Sequence, residues 1–253
     1  MTQEFVGQSL KGALFRDVSL RGAKFRLVDL REVSVRGAWV MDVEINGEVE
    51  NLRVNGVDVT PYVEAELDRR DPDRPKMRPT DPDGFRAAWD LLERRWTETV
   101  DRAQTLDPAA LHESVDGEWS FTQTLRHLVF ATDAWVRRAV LGDPAPYHPL
   151  GLPDDSSEDA PGVPRDPGAK PSLDEVLAVR ADRQRTVRHY LAGLTDERLA
   201  SSTTPLTEPG YPETGVAFPV REVLLTILNE EYMHRQYAER DLDVLTGSGP
   251  ART

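Results

Sequence analysis

The last 35 residues contain a helix whose apolar stripe is interrupted where a bundle core needs it whole. Val220, Val223, Leu224, Ile227, Tyr237, Ala238, Leu242 and Leu245 recur at helical spacing after Pro219, and Pro219 fits the first helical position. Extending that stripe through its middle lands on Glu230, Glu231 and His234, where an ordinary core helix carries Leu or Val. An unpaired buried carboxylate costs several kcal/mol, so these side chains require partners. Glu230 and His234 are four residues apart and leave one helix face as neighbours. A polar lock between helices and a pair of metal ligands both satisfy that arrangement.

Three further amphipathic segments precede this helix, and together they predict a four-helix bundle. The first spans about 85–103, with Phe85, Trp89, Leu92, Trp96 and Val100 on one face. The second runs from 119 to about 140, with Leu125, Leu128, Ala131, Thr132 and Trp135 inward, and Ser120 and Gln123 at capping-box spacing. The third covers 171–194 behind a second capping box, Ser172 with Glu175, and its face turns polar at Arg180 and Gln184. The connection 142–170 is rich in Pro, Asp and Ser. It exceeds the roughly 12–15 residues of an ordinary loop, which marks it as a candidate lid and lets the second and third helices run parallel. The 203–218 loop is a second candidate rim.

The N-terminal segment obeys a different period. Phe5, Leu10, Phe15, Leu20, Phe25, Leu30, Val35, Val40 and Ile45 recur every fifth residue, most preceded two positions earlier by Ala or Val. That period belongs neither to a helix nor to a flat strand, so the segment must coil until each unit points the same way. Arg16, Asp17, Arg21, Arg26, Asp29 and Arg31 fall between these positions, as on a solvated outer face. The pattern resembles the pentapeptide-repeat family, which implies a right-handed β-helix with the central residues inside and a surface for a protein partner. After Ile45 the period stops, and Asn55-Gly56 between alternating apolar residues predicts a hairpin. A short helix over 58–67 follows. The expected organisation is a β-helix with hairpin and helix over 1–68, a charged, proline-broken linker at 69–83, and the helical bundle over 84–253.

Composition narrows the function. The net charge of −13 argues against nucleic acid and anionic membranes as partners. No cysteine is present, so the chain supplies neither disulfide nor thiolate. No stretch approaches the roughly 20 apolar residues of a membrane span, and Met1 to Phe5 carries no signal-peptide pattern, so a cytoplasmic location is expected.

Of the five histidines, His112 and His148 fall in turn or loop contexts and His189 lies among Arg185, Arg188 and Tyr190. His127 differs, because it lies on the inner flank of the second helix. With Glu230 and His234 it completes three ligands and leaves open positions, the pattern of a catalytic zinc site. Trp119, Ser120 and His127, followed by Glu230 and His234, resemble the DinB/YfiT superfamily of damage-inducible four-helix proteins. The Glu-x-x-x-His form of the second motif is similar to the mycothiol-dependent maleylpyruvate isomerase branch. The resemblance implies a divalent metal, Zn or Ni, held by His127, Glu230 and His234, and suggests a homodimer. It further implies a transferase or isomerase that uses a low-molecular-weight thiol on a small electrophile, with a water-activating hydrolase as the second option. A non-catalytic scaffold, its polar cluster a structural lock, is the competing class. Glu231, three residues from His234, is a second candidate ligand but is expected to pair with Arg235 or to support a ligand; Arg180 and Arg183 either hold a substrate carboxylate or are exposed or interface arginines, and Tyr237 donates a hydrogen bond or packs.

Overall fold

A computed structural model describes residues 3–26, 28–47, 49–154 and 160–247. The expected bundle's last residues, 248–253, and part of the long connection, 155–159, lie outside the described residues. The chain divides into two compact units, Met1–Val49 and Glu50–Thr253. The division falls earlier than the boundary at 68 expected from composition.

In the first unit the five-residue period is a backbone period. Gly7, Gly12, Asp17, Gly22, Glu32, Gly37, Asp42 and Gly47 all have positive φ, at each described fifth position. Glycine takes this conformation without steric cost. Turns closed by Ala13 N–H to Leu10 O and Ala23 N–H to Leu20 O, at 2.9 and 3.0 Å, recur ten residues apart. The described residues of this unit contain no strand, and its every-fifth apolar side chains are 44–69% exposed, from Leu10 to Val35. The strand ladders and filled interior of a β-helix are therefore not found here. A square coil takes four five-residue units, so residues 5–45 supply only about two coils, too few to bury one another's faces.

The second unit opens with β1 (Arg53–Val54) paired antiparallel to β2 (Val57–Asp58). Asn55 and Gly56 between them both have positive φ, as the tight hairpin turn demands. Helix α1 (Thr60–Arg70) follows and buries no residue of its own. The 69–83 stretch, expected as a linker, is fastened down. Arg74 and Arg78 bridge Glu64 and Asp68 of α1, Asp73 pairs with Arg95 at 2.6 Å, and Met77 is buried.

The bundle consists of α2 (Pro82–Ala103), α3 (Phe121–Ala131), α4 (Leu173–Ala192) and α6 (Val220–Leu245), with α5 (Asp196–Leu199) a single turn. Both capping boxes form, Ser120 with Gln123 and Ser172 with Glu175. Pro219 stands just before the first turn of α6, at the N-cap. Helices α2 and α3 each pack against both α4 and α6, which makes a four-cornered arrangement. Helix α3 continues as a π-helix over Thr132–Val140. Its i→i+5 pitch delays the return of the inner face, so Val136 is fully buried while Trp135, the expected inner residue, is half-buried.

Two apolar clusters fill the bundle. One gathers Phe85, Trp89, Leu92, Val187 and Leu191 against Leu224, Ile227 and Leu228 of α6. The other gathers Trp96, Phe121, Leu125, Leu128 and Val176 against Ala238 and Leu242. Residues 229–237 of α6 belong to neither core, apart from Tyr232 packed on the first, so a polar layer separates them. Among the described residues, no helix is long and apolar enough to cross a membrane.

Candidate metal centre

That polar layer holds the three residues singled out by spacing. His127 comes from α3, Glu230 and His234 from α6, and their ligand atoms lie within 4.8 Å of one another. His127 is buried; the side chains of Glu230 and His234 are 26% and 17% exposed. The site thus stands inside the bundle with one side toward solvent.

Hydrogen-bond partners assign the protons. His127 Nδ1 lies 3.0 Å from the Leu152 carbonyl oxygen, which only accepts, so the neutral ring carries its proton on Nδ1. His234 Nδ1 lies 2.9 Å from the Glu230 carbonyl oxygen, with the same consequence. Each ring keeps its Nε2 lone pair as the free donor, the state a metal requires. His127 Nε2 meets Glu230 Oε2 at 3.3 Å. With the proton on Nδ1, two acceptors face each other there, and a cation between them resolves the conflict. The donor set therefore fits a divalent ion.

Electrostatics agree with this geometry. Burial pushes the Glu230 carboxyl up and Asp154 adds to that, but whenever the rings are protonated a hydrogen bond from His127 and the two imidazolium charges outweigh them and hold it below its usual range. Burial, followed by the neighbouring His127, pushes His234 below the ordinary histidine value against the pull of Glu230. An ionised carboxylate and a neutral imidazole are the forms that ligate.

Aromatic rings surround the imidazoles. Trp119 sits 4.6 Å from His127 and 6.1 Å from His234 between ring centroids. Phe130 approaches His127, and Tyr237 stands edge-on to His234. The Tyr237 ring packs here, with the Arg240 guanidinium over it at 5.4 Å.

Other expectations are corrected. Glu231 faces away from the site, and Arg180, not Arg235, holds it, through bonds of 2.7 and 2.9 Å with both residues buried. Arg180 also lies over the Trp96 ring, whose Nε1–H donates to the Glu231 carbonyl oxygen. Arg183 is committed to Asp133 of the π-helix at 2.7 and 3.2 Å. Neither arginine is therefore available for a substrate carboxylate. Arg235 instead reaches the Arg95 carbonyl oxygen and Thr99 on α2. His112 and His148 are half-buried and His189 is exposed, all outside the three-residue group.

Sequence reasoning passed over the part of the 142–170 connection that touches the site. Leu152 supplies the carbonyl behind His127, and the fully buried Arg126 guanidinium fastens this segment to α3. The available signal was a charged residue set directly between core Leu125 and His127.

The DinB superfamily model matches residues 91–238, from the middle of α2 to the last turns of α6. No curated protein and no solved structure shows significant similarity to the chain. With the matched segment covering more than half of the chain and containing all three clustered donors, the protein belongs to the DinB superfamily.

Proposed function

We propose that residues 50–253 form a divalent-metal-dependent enzyme in which His127, Glu230 and His234 are the protein's ligands and Zn or Ni is the ion. The facing acceptors at His127 Nε2 and Glu230 Oε2 carry this reading. A bound ion supplies acidity, lowering the pKa of a coordinated thiol or water until the nucleophile predominates. The chain's own residues prepare the site. Glu230 offers the one negative charge among the three ligands, the Leu152 and Glu230 carbonyls hold the imidazole protons away from the donor side, and Trp119 shields both rings.

The reaction class is thiol transfer or isomerisation of a small electrophile. Support comes from the Glu-x-x-x-His spacing of 230–234 and from the absence of cysteine, so that the nucleophile arrives as a low-molecular-weight thiol. Metal analysis of freshly purified protein tests the centre, with about one divalent ion per chain expected. A panel of mycothiol, bacillithiol and glutathione with electrophilic acceptors tests the class. Turnover without any thiol transfers the reading to a hydrolase, and protein that purifies and remains metal-free on titration removes the enzyme reading.

A second reading concerns the first unit alone. Its apolar array, with Trp39 94% exposed, favours a surface that docks another protein and coils into a β-helix when covered. Proton-exchange protection of residues 3–47 on adding the partner is the measurement that decides it.

A further inference from the structure

We infer that Arg126 is a positioning residue for the metal centre, acting through the Leu150–Leu152 stretch and the Leu152 carbonyl on the tautomer of His127. The inference rests on the metal reading above for its purpose, although its geometry stands independently. Arg126 is the largest fully buried side chain among the described residues. Its guanidinium is spent on backbone. Nε donates to Leu150 O at 2.9 Å, Nη1 to Ala169 O at 3.1 Å and Nη2 to Asp166 O at 2.6 Å. Its own carbonyl accepts from Leu152 N–H at 3.1 Å.

One side chain therefore ties together the two limbs of the loop, Leu150 and Leu152 on one and Asp166 and Ala169 on the other. The planar five-donor fork of arginine makes this possible; lysine presents a single point. Between the anchored residues the chain carries Leu152 O to His127 Nδ1. A neutral imidazole protonates whichever nitrogen faces the better acceptor. Without that carbonyl, the Glu230 carboxylate is the stronger acceptor, and the proton moves to Nε2, the donor atom the ion needs. Outer partners of this kind are worth about ten- to a hundredfold in metal affinity.

His234 serves as the internal control. Its Nδ1 faces two acceptors on its own helix, the Glu230 carbonyl oxygen at 2.9 Å and Glu230 Oε2 at 3.2 Å, so loosening the loop leaves its tautomer unchanged. The test compares the wild type, Arg126→Gln and Gly151→Ala. The second variant keeps Arg126 but presses the loop limb, because a Cβ at Gly151 meets His148 O at 3.1 Å and Phe130 Cβ at 3.4 Å. If Arg126→Gln does not fold, Gly151→Ala decides the matter. Long-range ¹⁵N–¹H correlation spectra of metal-free protein, at a pH where both imidazoles are neutral, report each tautomer. Competition titrations with Zn²⁺ and Ni²⁺ report affinity.

The expected result is Nδ1–H at both rings in the wild type and a shift of His127 alone toward Nε2–H in the variants. Zn²⁺ and Ni²⁺ affinity then falls about ten- to a hundredfold. Folded variants that keep the wild-type tautomer and affinity overturn the inference, and so does a joint shift of His127 and His234, which signals general loosening. A wild type that binds neither ion, with His127 still shifting in the variants, leaves the positioning role standing and removes the metal reading.

Discussion

Glu230 and Glu231 are adjacent in sequence, and their replacement by glutamine separates a ligand from a brace. Glu231→Gln leaves Arg180 buried, with side chains at 3% exposure on both partners, facing an amide in place of a bidentate carboxylate. Removing one partner of such a pair costs about 3–5 kcal/mol, because the remaining charge stays buried and uncompensated. That is a large share of the about 5–15 kcal/mol that holds a domain folded. Glu230→Gln differs in kind. Its side chain is a quarter exposed, and an amide N–H directed at the His127 Nε2 lone pair replaces the acceptor–acceptor contact. In metal-free protein the change stays within about 1 kcal/mol, the scale of one hydrogen bond. Urea unfolding in the presence of a chelator, followed by circular dichroism and extrapolated linearly, measures both. Metal content of the folded variants gives the second axis. Glu230→Gln loses the ion and keeps stability; Glu231→Gln keeps the ion wherever it remains folded. A metal-free Glu231→Gln as stable as Glu230→Gln, or a folded Glu231→Gln without metal, refutes the division of roles.

His234→Ala removes the second imidazole and is expected to abolish stoichiometric metal by elemental analysis. It also abolishes the rise in melting temperature on adding Zn²⁺, since that rise is binding to the native state by mass action. Metal affinity falls with pH because protons compete for the imidazoles. Since burial and His127 hold His234 low, its own contribution to that loss begins below the ordinary histidine value of about 6.5; an NMR pH titration of the His234 ring in metal-free protein checks it, and a His234 midpoint above that value contradicts the depressed histidine. Residues 50–253 expressed alone are expected to unfold cooperatively with helical circular dichroism, because both apolar clusters lie within that unit; a molten fragment shows that the first unit contributes core.

Local signals carried much of the bundle into the sequence. Ser120, Gln123, Ser172 and Glu175 announce helix starts through bonds made within four residues, and those bonds form as spaced. The interruption at Glu230 and His234 was legible for a related reason, since helical spacing alone places both on one face. What remained hidden depends on partners distant in sequence. Glu231 has Arg235 four residues away and Arg180 fifty-one residues away, and only the fold prefers the distant one. Leu152 is invisible as a functional residue because it acts through its carbonyl. Trp135 does pack against the first apolar cluster, but half-buried, and Val136 takes the fully buried place because a sequence does not display its change of helical pitch. In the first unit the five-residue period recurs in the backbone as positive φ, but it was read as an inward-pointing apolar row, and period alone does not supply the neighbouring coils a β-helix needs.

The polar layer across the bundle explains why the site requires such thorough bracing. Helix α6 is gripped by an apolar cluster at Leu224 to Leu228 and by another at Ala238 and Leu242. Between them, shape-complementary packing gives way to charged groups, and a small rotation of α6 carries Glu230 away from His127. Three directional contacts oppose that rotation. Glu231 is held by Arg180 of α4, its carbonyl accepts from Trp96 of α2, and Arg235 reaches the Arg95 carbonyl and Thr99 of α2. On the opposite wall, Asp133 and Arg183 tie the π-helix to α4 one and a half turns beyond His127. Each brace ends on a hydrogen bond of fixed direction, which apolar side chains do not provide. Buried ion pairs add little net stability over apolar replacements, so their placement on both sides of the layer is accounted for by register. The two helices are held so that one imidazole from α3 meets a carboxylate and an imidazole from α6.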